Sequence, residues 1–483
     1  MSDQRRTTTD RDTERRVADW LAHGPDRLPE YILQDVIQQT AVTRQARRRR
    51  LGRWRDRDEG VGRTASEWLP GEGRTGNLLM SLAGLTALLA VLALSVGFAR
   101  TSPMSPAAGG SDLVVAADGS GDHTTIAEAI AAADPGAVVA IRPGWYEGSV
   151  VVDKDIHLLG DGAPDDVIIV APAGAMEPDC CGAEVERPYA LLLQAGDVSV
   201  TDLTIETPAG STGIAATSGN PLIERVSIVQ RGPDSPADDG HYSMGFYGPT
   251  TPTVRDSTWD SYVAVRDGAA PTFEGNTVSL GGLSIDGPGV SIVQGNTFVD
   301  GAWVNTTNAV STVTGNTFID GDVSADVGSD IEVRGNTFRQ ERSSSKDAVI
   351  AIRDSRTRAV VEDNTVESAT RGVSISAGAS ASVSGNDIES ASTGIVVSGT
   401  GDVTVQGNTI RGPGAGIVVV TSAMPTITGN TIAVGGTGIS VAGGAAPVID
   451  HNSVCSDDVP IHLWAGASPE LGANELCGAG QAG

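Results

Sequence analysis

A ladder of Gly-Asn dipeptides constrains this chain more than any other feature. The Asn, or its equivalent, falls at Asn276, Asn296, Asn316, Asn336, Asn364, Asn386, Asn408, Asn430, Asn452 and Asn474, mostly 20 or 22 residues apart, with one step of 28. The residue three before each Asn is apolar throughout, from Phe273 and Val293 to Ile449 and Leu471. The residue two after is apolar as well, from Val278, Phe298, Phe318 and Phe338 to Leu476. A third apolar pair lies thirteen and eleven residues before the Asn, as in Ile395 and Val397 or Ile417 and Val419. A fixed period of this length with three short apolar alternations is the signature of a solenoid whose coils each carry three strands.

Strands this short cannot bury an inward face alone, so coils must stack at ~4.8 Å into three parallel sheets around an aliphatic core. The inward side chains then form columns, with Phe298, Phe318 and Phe338 in one of them. The Asn column sits at a sharp turn, where the amide can bond to the Asn above and below. Cys455 and Cys477 each lie three after a ladder Asn on consecutive coils, a spacing that suits a disulfide. Fainter coils extend upstream through DLTIET near Leu203, ERVSIV near Val226 and PTVRDSTW near Ser257. Composition agrees with this reading, because Gly is 61 of 483 residues and aromatics only 4%, which suits stacked short strands and tight turns.

The chain before the repeat is of another kind. Residues 78–98 (LLMSLAGLTALLAVLALSVGF) carry no charge and are about the ~20 residues that a bilayer core requires. Arg44, Arg47 to Arg50, Arg53, Arg55 and Arg57 precede the stretch and only Arg100 follows closely. The positive-inside rule therefore predicts a single-pass cell-membrane protein with its N-terminus in the cytoplasm and its repeat outside. Residues 1–59 read as a short helical, Arg-rich cytoplasmic head, from Val17, Trp20, Leu21, Leu28, Ile32, Leu33, Val36 and Ile37 at helical spacing. That head loosely resembles those of membrane-anchored regulators such as anti-sigma factors. Residues 60–76 and 100–111 read as linkers around the span at 77–99, with the repeat domain at 112–478 and a tail at 479–483.

From Met1 to Gly76 the net charge is +3, while the remainder carries 17 basic and 47 acidic residues, a net of −30. So acidic an ectodomain repels phosphate backbones and excludes nucleic acid as a partner. All four cysteines follow the apolar span, where an oxidising compartment permits disulfides. Adjacent Cys180 and Cys181 could bridge each other, pair elsewhere or stay free. Without a second pair or a neighbouring His they are a poor metal signal, and no metal site is expected. Acid-rich coils could hold Ca²⁺, but the repeated GGxGxD motif is absent, and no cofactor is expected.

The start of the ectodomain, VVAADGSGDHTTIAEAIAAA followed by VVAIRPGWYEGSVVVDKDIHLLGDG, resembles pectin methylesterases and other right-handed parallel β-helix proteins of the pectin-lyase-like kind. The resemblance implies an all-β, right-handed parallel β-helix whose open N-terminal end is capped by a short helix, here about Thr125 to Ala133. It also implies that sugar chains lie on the first sheet. The family's catalytic pattern does not carry over, since the Gln-Asp, Asp-Phe and Arg-Pro-Trp motifs are missing and Glu147 stands one place early in GWYEG. Lysine is limited to Lys154 and Lys346, which disfavours a Lys-based lyase.

Counting ten residues back from each Asn gives an expected outward column on the first sheet: Tyr247, Arg266, Asp286, Thr306, Asp326 and Asp354. Long departures from the repeat occur at Ala171 to Tyr189 and Arg231 to Pro252, and loops on a rigid scaffold concentrate function. Asp238, Asp239, His241, Arg266 and Asp286 are the candidate catalytic groups, because carboxylates and an imidazole are the equipment for acid/base cleavage of glycosidic bonds. Tyr242, Tyr247, Asp326 and Trp259 are candidate ligand contacts, and Trp303 and Trp464 could also stack on sugar rings. Arg266 and Asp286 could instead form a cross-strand ion pair. Three functions fit these residues: a surface-anchored polysaccharide binder, a polysaccharide-cleaving lyase or glycoside hydrolase of unfamiliar arrangement, and an envelope sensor or scaffold signalling through the head.

Overall fold

A computed structural model describes residues 112–173, 188–208, 210–231, 242–342 and 348–478. The head, both linkers, the apolar stretch, Cys180, Cys181 and the tail lie outside the described residues. Among the described residues no helix is long and apolar enough to cross a membrane.

Each coil contributes three short strands, and each strand pairs in parallel with its equivalent one coil away. On the first face Gly282–Asp286 pairs with Trp303–Thr307, and that strand with Asp322–Asp326. The second face runs through Val290–Gln294, Val310–Thr314 and Asp330–Arg334. The third runs through Thr297–Val299, Thr317–Ile319 and Thr337–Arg339. Parallel strands joined by such crossovers wind right-handed. The inward apolar side chains form one continuous core from Val115 to Val454. Phe318 stacks between Phe298, at 4.6 Å and 6°, and Phe338, at 4.7 Å and 7°.

The amide ladder fixes the corner between the second and third faces. From Asn276 to Asn452 every ladder Asn is buried, and the preceding Gly275, Gly295, Gly315 and Gly335 have φ between 59° and 67°, where glycine carries no steric penalty. Asn316 is representative. Its Oδ1 accepts from the backbone N–H and the Nδ2 of Asn296, at 2.8 and 2.9 Å. Its own N–H and Nδ2 donate to Asn336 Oδ1, and Nδ2 also donates to Val293 O, each at 2.9 Å.

The upstream coils use the same column with other residues. Leu203, Val226 and Ser257 stand where Asn stands later, preceded by Asp202, Arg225 and Asp256 at φ 59°, 52° and 51°. Ser257 Oγ accepts from Val226 N–H, and Ser257 N–H donates to Asn276 Oδ1. A hydroxyl thus begins the ladder.

At the N-terminal end the helix Ile126–Ala132, with Thr125 accepting from Glu128 N–H, buries Ile126, Ala129 and Ile130 in the core. Its last carbonyls are tied down by Lys154, whose Nζ donates to Ile130 O, Ala131 O and Ala133 O at 2.9 to 3.1 Å. Lys154→Met removes a charged C-terminal cap and should loosen this helix by about 1.5 kcal/mol. Amide exchange would speed up across 129–133 with no change in the later coils.

At the other end, Cys455 and Cys477 are joined as expected, their Cα atoms 4.5 Å apart across paired strands. Cys477→Ser frees a loop of 22 residues, worth about 3 kcal/mol in the chain-entropy account. Exchange should then rise in 470–478, and an unchanged rate there would show that stacking alone holds the final coil.

Candidate functional face

The first face presents three outward columns that run along the solenoid axis. In its leading column, Tyr242, Tyr262, Gly282, Trp303 and Asp322 succeed one another coil by coil. The middle column is made of small groups, Ala215, Gly245, Ala264, Ser284, Asn305, Ser324 and Ala351. A trailing column begins with Tyr247 and Arg266, whose backbone N–H groups bond to Ala216 O and Phe246 O. It continues through Asp286, Thr307 and Asp326, and Arg353 follows. Small middle residues between larger flanks make a trough, and four residues of strand put its walls about 13 Å apart.

The aromatic wall depends on a missing side chain. A Cβ on Gly282 would stand 2.7 Å from Cδ2 of the Trp303 indole, so the indole lies across that position and meets Tyr262 at 5.7 Å and 52°. Both rings are only partly buried. Tyr247 leans over the floor in the same way, its ring 2.6 Å from where a Cβ of Gly245 would be. On the floor, Thr307 Oγ1 donates to Asn305 Oδ1 at 3.1 Å and Asn305 Nδ2 donates to Ser324 Oγ at 2.8 Å. That chain orients the amide and leaves it one further N–H for a ligand.

Arg266 and Asp286 stand one coil apart, both exposed, and no hydrogen bond or ion pair joins them. The ion-pair alternative for these two is therefore not what the structure forms. Asp326 is tied instead to Arg353, Nη1 to Oδ2 at 3.4 Å.

Three sequence expectations need correction. Thr306 is not outward; it is fully buried in the inward column of Ile285, Ala325 and Ile352, and Thr307 takes the outward place. Asp354 lies beyond the column, where Arg353 stands, and has φ 77° in a turn. Trp259 is 2% exposed and packs on Phe273 at 6.0 Å, so it is core and touches no ligand. Asp238, Asp239 and His241 lie outside the described residues. Among the described residues no group of three or more His, Cys, Asp or Glu could hold a metal.

Residues 325–476 match the family model described as right handed beta helix region. That match agrees with the right-handed parallel β-helix of the described coils and spans less than half of the chain. A stretch of 108 residues is 33% identical to a pectinesterase/pectinesterase inhibitor of Solanum lycopersicum, which amounts to 21% of this chain and 18% of that protein. Among solved structures, a mutant of the periplasmic alginate epimerase AlgG covers 60% of this repeat protein and 78% of its own chain, at 13% identity and TM-score 0.43. The A-module of a mannuronan C-5 epimerase from Azotobacter vinelandii covers 73% and 93%, at 16% identity and TM-score 0.31. None of these assigns a role to a residue of this chain.

Proposed function

We propose that this is a membrane-anchored, extracytoplasmic protein whose first β-helix face binds a linear polysaccharide along the solenoid axis. The trough carries the reading: an aromatic wall of Tyr262 and Trp303, a floor of small and hydrogen-bonding groups, and charged groups opposite. Partly exposed aromatic rings offer apolar faces to sugar rings, and Arg266, Asp286 and the Asn305 amide offer donors and acceptors to hydroxyls. Asp286, Asp322 and Asp326 outnumber Arg266 and Arg353, and the chain beyond Gly76 carries a net −30. That field disfavours a polyanionic chain, so the ligand is a neutral glycan. The apolar run 78–98, the arginines before it and the Cys455–Cys477 pair support an outside location behind one span.

The test is retention of the purified chain on gels bearing neutral polysaccharides against a polygalacturonate gel, with mass spectrometry of the soluble sugars. Retention on a neutral gel with no product is the expected result, and retention by polygalacturonate alone would overturn the ligand class. A product would support the second reading, a polysaccharide-cleaving enzyme, which the uncommitted Arg266 and Asp286 favour. In that event Arg266→Ala and Asp286→Ala should abolish turnover while the protein is still retained. For the anchor, deletion of residues 78–98 should move the protein from the membrane to the soluble fraction of host cells, and an unchanged distribution would sink it.

A further inference from the structure

At the C-terminal end of the same face lies a second aromatic group. Trp464 is 53% exposed and continues the trailing column, its backbone N–H bonded to Val441 O beside the pair Val441 and Leu463. The indole does not project freely. Its Nε1 donates to Ser440 Oγ at 3.0 Å, and its ring stacks on His462 at 4.5 Å and 15°. Ser440 and His462 both belong to the middle column, so the indole reaches back over the floor of the last two coils and is held there from two sides.

Seven coil steps separate Trp303 from Trp464 on this face. At ~4.8 Å per step the two groups lie about 34 Å apart. The outward residues between Arg353 and His462 carry no charge: Ser374, Val396, Val418 and Ser440 in the middle column, and Ser376, Ser398, Val420 and Ala442 in the trailing one. Among the described residues, no charged side chain stands in these two columns along that stretch.

We propose that His462 and Trp464 form a second platform for the same glycan, so that one chain longer than about 34 Å engages both ends of the face at once. This rests on the binding reading above. Tethering by the first site makes the second contact intramolecular, so affinity should rise steeply once a fragment spans both.

The experiment titrates the purified full chain with size fractions of whichever neutral polysaccharide (amylose, galactan, arabinan or mannan) its gel retains. Trp464→Ala should weaken long fragments by about tenfold and leave short ones unchanged, whereas Trp303→Ala weakens both. Trp464→Phe should recover most of the long-fragment affinity. Equal affinity of Trp464→Ala and wild type for long fragments, or an equal loss for short and long, would overturn the second platform. Failure of every gel to retain wild type would instead overturn the binding reading beneath it.

Discussion

Asn316→Ala is expected to lower the unfolding free energy by about 4 kcal/mol, as would the same change at the other interior positions of the ladder. The amide at this position accepts two hydrogen bonds from Asn296 and donates to Asn336 and Val293. Removing it leaves the buried Asn296 N–H and one Nδ2 hydrogen of Asn296 without an acceptor and takes one donor from the Val293 carbonyl, and each orphaned buried donor costs about 1–3 kcal/mol. The methyl group that replaces the amide returns little, because the corner is closed to water. The loss should appear in urea unfolding followed by far-ultraviolet circular dichroism. Native-state exchange would show it centred on the coils of Asn296, Asn316 and Asn336, since coils of a solenoid depend on their neighbours.

Two companions make that expectation specific. Asn474, on the last described coil, makes the same kinds of bond, its Oδ1 accepting from Asn452 N–H and Nδ2 and its Nδ2 donating to Ile449 O, but it is only half-buried, so water can take over those partners when the amide is removed. Asn474→Ala should cost about 1 kcal/mol. Asn316→Ser should recover part of the loss, because Ser257 already shows that a hydroxyl in this column can accept from the neighbouring coil's N–H. Equal losses at 316 and 474 would mean that the ladder is a filler of turns and not a cooperative chain of bonds.

The ladder was legible because it repeats, and the coils before it were faint because the same corner is built from other residues. Asp202, Arg225 and Asp256 adopt the left-handed conformation that Gly adopts later, and Leu203, Val226 and Ser257 fill the Asn position. Aligning Ser257 with the Asn column would also have placed Trp259 correctly, since two residues after each ladder position is always inward, as at Val278 and Phe298.

The outward column was misread for a different physical reason. Asn296 and Asn316 are 20 residues apart, like their neighbours, but the turn after Phe298 holds one extra residue and the turn before Val310 one fewer. Asp300 and Gly301, at φ 54° and 85°, absorb the extra residue. Counting back from the Asn therefore lands on Thr306, whose inward hydroxyl donates to Ser324 O at 3.4 Å. The aromatic wall was hidden as well, because Tyr262, Gly282 and Trp303 are meaningful only once the register stacks them. The signal that could have found them is a small residue in a column between two aromatic ones.

That wall yields the largest expected effect on binding. Trp303→Ala should weaken retention on the polysaccharide gel about 30-fold, near 2 kcal/mol, in the range of a central aromatic contact in an interface. Its stability should hardly move, because the indole points away from the core column of Val304. Tyr262→Ala removes the ring against which the indole rests, so it should weaken binding too, and the double variant should lose less than the sum of the two. Trp259→Ala gives the opposite pattern, since it opens a cavity beside Phe273 and should cost about 4 kcal/mol of stability. If Trp303→Ala is retained as well as wild type while Arg266→Ala and Asp286→Ala are not, the charged wall holds the glycan without the rings.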